Sequence, residues 1–125
     1  MRYVVIGAGA IGTVVAAHLA RAGKRVAVIA RGARLAALRA TNTIALDTPR
    51  GRIVEPIELV DVAAPGDVVC LATKTNDAAS ALALVPRGAT VACCTNGLET
   101  ERLVAAHGCT AIPVVVMCPA THLDA

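Results

Sequence analysis

Three glycines at positions 7, 9 and 12, in the run Gly7-Ala8-Gly9-Ala10-Ile11-Gly12, follow a short apolar segment, Tyr3-Val4-Val5-Ile6. They open a stretch in which Ile11, Val14, Val15 and Leu19 recur at helical spacing. Each glycine answers its own demand. Gly7 permits a tight strand-to-helix turn, Gly9 lets the backbone approach a pyrophosphate, and Gly12 lets helix and strand close on each other. The helix N-terminus then offers free N–H groups to phosphate oxygens. The chemistry this order serves is binding of a dinucleotide, with Gly7, Ala8, Gly9, Ala10, Ile11 and Gly12 as the contact turn. The bland alternative is a glycine turn that serves only close approach of helix and strand.

A second apolar run, Arg25 to Ala30, ends where a site selecting NAD places Asp or Glu to accept from the adenosine 2′-hydroxyl. This chain places Arg31 there, and no acidic residue precedes Asp47. Arg31 and Arg34 stand about one helical turn apart, and a guanidinium fork suits a 2′-phosphate dianion, so NADP is favoured over NAD. The alternative is a solvated helix face. Charge is split along the chain: residues 1–54 carry nine basic and one acidic side chain, and residues 55–125 carry three basic and eight acidic. A basic half could also attract nucleic acid, but Tyr3 is the one aromatic residue, so stacking platforms for single strands are missing.

The remaining candidates follow strand-like runs. Thr73-Lys74-Thr75-Asn76 comes after a run ending at Ala72, Thr95-Asn96-Gly97 after one ending at Cys94, and Cys118 to His122 after one ending at Met117. Ligands of open α/β sheets sit outside the carboxyl ends of the strands, so these stretches should line one cleft. Lys74 suits a cofactor phosphate or a substrate carboxylate as a compact cation. Asn76 is equally well read as a helix cap. Asn96 could orient a substrate oxygen, or Asn96-Gly97 could be only a turn. His18 and His107 suit structural roles, and His122 stays open.

The elements that must position these groups alternate. Strands are expected at about Arg2 to Ile6, Arg25 to Ala30, Asp67 to Ala72, Thr90 to Cys94 and Ile112 to Met117. Helices are expected at about Ala10 to Ala22, stopped by Gly23, then Gly32 to Arg39, Asp77 to Leu84 and Glu99 to Ala106. Thr43 to Leu46 and Arg52 to Val54 flank Asp47-Thr48-Pro49-Arg50-Gly51, whose turn chemistry predicts an antiparallel hairpin. The pattern predicts an α/β fold of Rossmann type: a doubly wound, mainly parallel sheet with one short antiparallel hairpin. At 125 residues and 56% hydrophobic content, the chain is one domain over 1–125 with a core of ordinary size. Without Phe or Trp, that core is built from Ala, Val, Leu and Ile. No apolar run reaches the roughly twenty residues that span a bilayer, and the N-terminus is already the first strand, so a cytoplasmic location is expected. Cys70, Cys93, Cys94, Cys109 and Cys118 form no CxxC pair and read as reduced core thiols. A zinc site from Cys93, Cys94, His107 and Cys109 fits no usual spacing, so no metal is expected.

With these positions assembled, the whole chain resembles the N-terminal domain of ketopantoate reductase, the 2-dehydropantoate 2-reductase family. The resemblance is carried by the turn from Gly7 to Gly12, by Arg31, by Lys74 and by Asn96-Gly97, in that order. It implies an NADP(H)-dependent oxidoreductase of pantothenate and coenzyme A biosynthesis. Hydride passes to the 2-keto carbon of ketopantoate, giving pantoate. It further implies that Arg31 takes the 2′-phosphate, that Lys74 lines the cofactor and substrate cleft, and that Asn96 sits near nicotinamide and substrate. The catalytic acid of the family is a lysine on a helical C-terminal domain, which has no counterpart in these 125 residues. The chain is therefore expected to be the cofactor domain of a protein roughly twice as long, inactive alone. Apolar surface meant for the second domain would favour self-association as a homodimer. Three alternatives stay open: a related reductase with another small 2-keto acid substrate, a noncatalytic NADP sensor, and methyl transfer from S-adenosylmethionine. The last would want an acid where Arg31 stands.

Overall fold

A computed structural model describes residues 1–7, 9–73, 77–94 and 99–114, with only the backbone of Pro113. β1 (Arg2–Ile6) leads into α1 (Ala10–Arg21), β2 (Arg25–Ile29) and α2 (Gly32–Thr41). A hairpin of β3 (Thr43–Thr48) and β4 (Gly51–Pro56) follows. Then come β5 (Glu58–Leu59), β6 (Val68–Leu71), α3 (Ala78–Leu82), β7 (Thr90–Cys93), α4 (Glu99–Ala106) and β8 (Thr110–Pro113).

Six strands form one parallel sheet in the order β5-β2-β1-β6-β7-β8. With the hairpin set aside, this is the order 3-2-1-4-5-6 of a doubly wound sheet. The register aligns the strand ends: Ile29 stands beside Ile6, Ile6 beside Leu71, Leu71 beside Cys93 and Cys93 beside Pro113. Whatever follows each strand therefore emerges along one edge.

Both faces of the sheet are covered, which explains why its strands read as continuous apolar runs rather than alternating ones. Val5, Val26, Val28 and Cys70 pack with Ala16 and Ala17 of α1, Leu38 of α2 and Ile44 and Ile53 of the hairpin. Val4, Ile6, Val69, Leu71 and Val91 pack on the other side with Ala78, Ala81 and Leu82 of α3 and Val104 of α4. Small Ala16 and Ala17, both fully buried, let α1 lie close on the sheet. Cys70, Cys93, Cys94 and Cys109 are buried free thiols. Burial pushes the Cys70 thiol up to about 11, with neighbouring Cys94 adding to the rise.

Local chemistry sets the boundaries. Gly23, at φ +83°, ends α1 as expected, its N–H meeting the Ala20 carbonyl while that of Lys24 meets the Leu19 carbonyl. Asn42 ends α2 in the left-handed region at φ +54°. The antiparallel hairpin forms, but its strands are longer than the sequence suggests, because pairing runs from Thr43 with Pro56 to Thr48 with Gly51. One strand is added and one boundary is corrected. β5, two residues paired with Ala27 and Val28, is too short to leave a periodic signal. The last described strand starts at Thr110 rather than Ile112, because Thr110 pairs with Thr90 directly after the Gly108 turn. Residues 115–117 of the expected strand lie outside the described residues.

The opposite, amino-terminal edge of the sheet carries a ladder of charge. Arg2 donates through Nε to Asp67 Oδ1 at 3.1 Å and through Nη2 to Oδ2 at 2.6 Å. Arg25 holds Glu58 the same way, at 3.2 and 2.8 Å, and Arg2 Nη1 reaches Glu58 Oε2 at 3.8 Å. Asp67 also accepts the Ala64 N–H at 2.8 Å. This clasp ties the starts of β1 and β2 to β5 and to the turn before β6.

Candidate dinucleotide-binding site

At the carboxyl edge, the strand order reverses between β1 and β6, the place where open α/β sheets leave a crevice. Gly7 leaves β1 at φ +98°, with its N–H on the Ile29 carbonyl at 3.1 Å. A Cβ on Gly7 would meet the Ala72 carbonyl oxygen at 2.9 Å and the Thr73 nitrogen at 3.1 Å. Conformation and space both demand glycine there. A Cβ on Gly12 would overlap the Gly7 carbonyl oxygen, so the first turn of α1 rests on the turn that precedes it. Gly9 differs from both. It caps α1 in an extended conformation, its carbonyl accepting the Thr13 N–H at 2.9 Å, and none of the described residues lies within 4 Å of where its Cβ would be.

Behind Gly9, α1 has no capping side chain and no acidic residue in its first turn. Its leading N–H groups, which no helical carbonyl can reach, are left to an anion. Ala10 and Ile11 lie in that first turn, half-buried, and Ile11 anchors it against the core cluster beneath. On the β6 side, the Thr73 hydroxyl is buried and has no hydrogen-bond partner among the described residues. An open glycine, an uncapped helix start and an orphaned hydroxyl along one crevice fit a phosphate-bearing ligand better than a closed structural turn.

The two arginines after β2 part company. Arg31 precedes α2 with its side chain 80% exposed, and its Nη2 meets Asp77 Oδ2 at 3.4 Å. Arg34 turns back to α1, donating from Nη2 to Thr13 Oγ1 at 3.2 Å, and burial lowers its pKa. It is not exposed beside Arg31, because partial burial and the tie to Thr13 hold it against α1. Of the histidines, His18 is exposed on α1, and His107 Nε2 lies 2.9 Å from the Val85 carbonyl oxygen, a tie between the end of α4 and the chain after α3. Ala8, Lys74, Asn76, Asn96, Gly97, Cys118 and His122 lie outside the described residues. Thr73 belongs to a stretch the sequence already places at the cleft, though with no role of its own, and Asp77 is the group that sequence reasoning passed over. Asp77 reads only as a helix start, and nothing local points it toward Arg31. Among the described residues no helix is long and apolar enough to cross a membrane.

Order, register and crevice define an α/β domain of the Rossmann type. The family model for ketopantoate reductase PanE/ApbA matches residues 3–125, and the chain belongs to that family. Similar solved structures agree. A PanE/ApbA family ketopantoate reductase from Ralstonia eutropha JMP134 superposes with a TM-score of 0.83 at 25% identity, over 99% of this chain and 47% of that one. A 2-dehydropantoate 2-reductase from Porphyromonas gingivalis W83 matches at 27% identity and a TM-score of 0.66, over 82% of this chain and 41% of its own. A D-mandelate dehydrogenase solved with NADH and anilino(oxo)acetate shares the fold, with a TM-score of 0.72 at 21% identity, over 86% of this chain and 37% of its own. The chain thus spans less than half the length of each of these structures. No curated protein sequence matches it.

Proposed function

We propose that this chain is the NADPH-binding domain of a two-domain cytoplasmic 2-keto acid reductase, with ketopantoate as substrate and pantoate as product. The observation that carries the reading is the crevice between β1 and β6, where Gly9 leaves its Cβ position open in front of an uncapped helix. Gly7 and Gly12 hold that geometry, and the first N–H groups of α1 bind the pyrophosphate. Arg31, exposed beyond β2, takes the 2′-phosphate. Thr73, at the end of β6, gives its hydroxyl a partner among the ligand's oxygens. Lys74 and Asn96, following β6 and β7 in sequence, are assigned to the cofactor and substrate end of the cleft. Bound NADPH supplies a hydride to the 2-keto carbon. Protonation of the alkoxide is assigned to a lysine of the helical domain that the family resemblance implies.

Calorimetric titration with NADPH and with NADH tests this reading. NADPH should bind more tightly, and Arg31→Ala should weaken NADPH by about ten- to a hundredfold, as expected for a lost charge-assisted contact of about 1.5–3 kcal/mol, while sparing NADH. Failure of both dinucleotides to bind at millimolar concentration would overturn the assignment. Equal affinity for the two would overturn the role of Arg31 alone.

A further inference from the structure

We propose that Asp77 sets how strongly this site prefers a 2′-phosphate, by competing for Arg31. The inference rests on the dinucleotide reading above and concerns selectivity within it. β2, β1 and β6 are neighbours in that order, so Arg31 beyond β2 and Asp77 beyond β6 stand on opposite sides of the turn that leaves β1. Their contact at 3.4 Å joins the segments that follow β2 and β6, the two strands flanking β1, where the proposed dinucleotide site begins. The acid missing after β2 in the sequence is thus supplied from the far side of the crevice.

Two effects of this carboxylate act in the same direction. A guanidinium engaged with one oxyanion must release or share it to receive another, so a 2′-phosphate has to win Arg31 from Asp77. A carboxylate left beside a phosphate dianion also repels it, whereas toward a 2′-hydroxyl it is the group type that NAD sites use as an acceptor. Asp77 therefore lowers the preference for NADPH over NADH. The side chains of the pair are 80% and 39% exposed, so solvent screens the contact and the effect is modest, about two- to fivefold. A merely structural pair, tying the start of α2 to the start of α3, would move stability and leave the ratio of affinities unchanged.

The experiment measures dissociation constants for NADPH and NADH by calorimetry in the unaltered protein, Asp77→Asn, Arg31→Ala and the double variant, with Asp77→Ser as a second neutral replacement. Both neutral replacements should tighten NADPH about two- to fivefold and leave NADH unchanged or weaker, and the gain should vanish in the Arg31→Ala background. NADPH affinity that is unchanged or weaker in both single variants overturns the proposal while the dinucleotide reading stands. The same holds for an equal gain without Arg31, which would mean that Asp77 acts on the ligand directly. If the unaltered protein binds neither dinucleotide, the dinucleotide reading fails and this inference falls with it.

Discussion

Gly12→Ala should destabilise the domain by about 3 kcal/mol or more, although Ala is normally the better helix former by about 1 kcal/mol. The sign reverses because the new methyl would occupy the position of the Gly7 carbonyl oxygen, a backbone atom held by the turn. That turn cannot yield easily, since the Gly7 N–H is bonded to Ile29 and the Ala72 N–H to the Ile6 carbonyl. Against a total stability of about 5–15 kcal/mol, such a loss would show as a much lower urea midpoint or as insoluble protein. Gly9→Ala is the matched contrast. Its φ of −75° is open to alanine and its Cβ would meet none of the described residues, so the midpoint should stay near that of the unaltered protein. Under the proposed function, dinucleotide affinity should instead fall about tenfold or more, the equivalent of about 1.4 kcal/mol, because the methyl would stand where the proposed pyrophosphate approaches. A Gly12→Ala protein as stable as its parent would show that α1 does not rest on the Gly7 carbonyl. A Gly9→Ala protein that binds normally would place the ligand elsewhere.

Asp67→Asn should cost about 3 kcal/mol, the low end for breaking a buried pair, since the Arg2 side chain is still 17% exposed and can turn partly to water. Asparagine preserves the shape but replaces one of two charge-assisted acceptors with a donor facing the guanidinium. The pH dependence follows from the same contact. Hydrogen bonds from Arg2 hold the Asp67 carboxyl below its ordinary value, against desolvation, and the Ala64 N–H adds to the lowering. A carboxyl depressed in the folded state contributes its full stability above the unfolded value of about 3.9, and loses it as pH falls from there through the folded value. Glu58, lowered mainly by its hydrogen bond to Arg25, adds a smaller contribution of the same sign. Urea midpoints between pH 7 and pH 2 should therefore drop on the acid side, and Asp67→Asn should flatten that drop. An unchanged acid limb in the variant would remove Asp67 as its source.

Much of this architecture is readable from local pattern. β1, α1 and β2 are separated, and the hairpin is turned, at residues whose backbone chemistry is unambiguous: Gly7, Gly23 and the Pro49-Arg50-Gly51 turn. The stop at Asn42, three residues past the expected end of the second helix, is not among the sequence expectations. The positions of Gly7, Gly9 and Gly12 and the separate demand expected of each follow from spacing alone, although the atoms behind those demands needed coordinates. Only these show that Gly12 bears on the turn's own carbonyl and that Gly9 faces open space. What sequence could not supply is long-range. β5 exists because two residues meet β2, and its own composition would not reveal it. Arg31 and Arg34 look alike at helical spacing, yet one is exposed and paired with Asp77 while the other is desolvated against Thr13. That difference rests on the contact of Arg34 with Thr13 on α1, twenty-one residues away in sequence.

The thiols under both sheet faces give the domain a built-in reporter of its own opening. Alkylating reagents attack thiolate, and Cys70 is denied to them twice, by lack of access and by a pKa near 11 that keeps it protonated at neutral pH. Cys93 and Cys94 are raised by burial in the same direction. Labelling of these three side chains in native buffer should therefore proceed only through molecules whose sheet has come apart. The rate at which these three positions are alkylated, read by peptide mass, would follow the population of opened protein without denaturant.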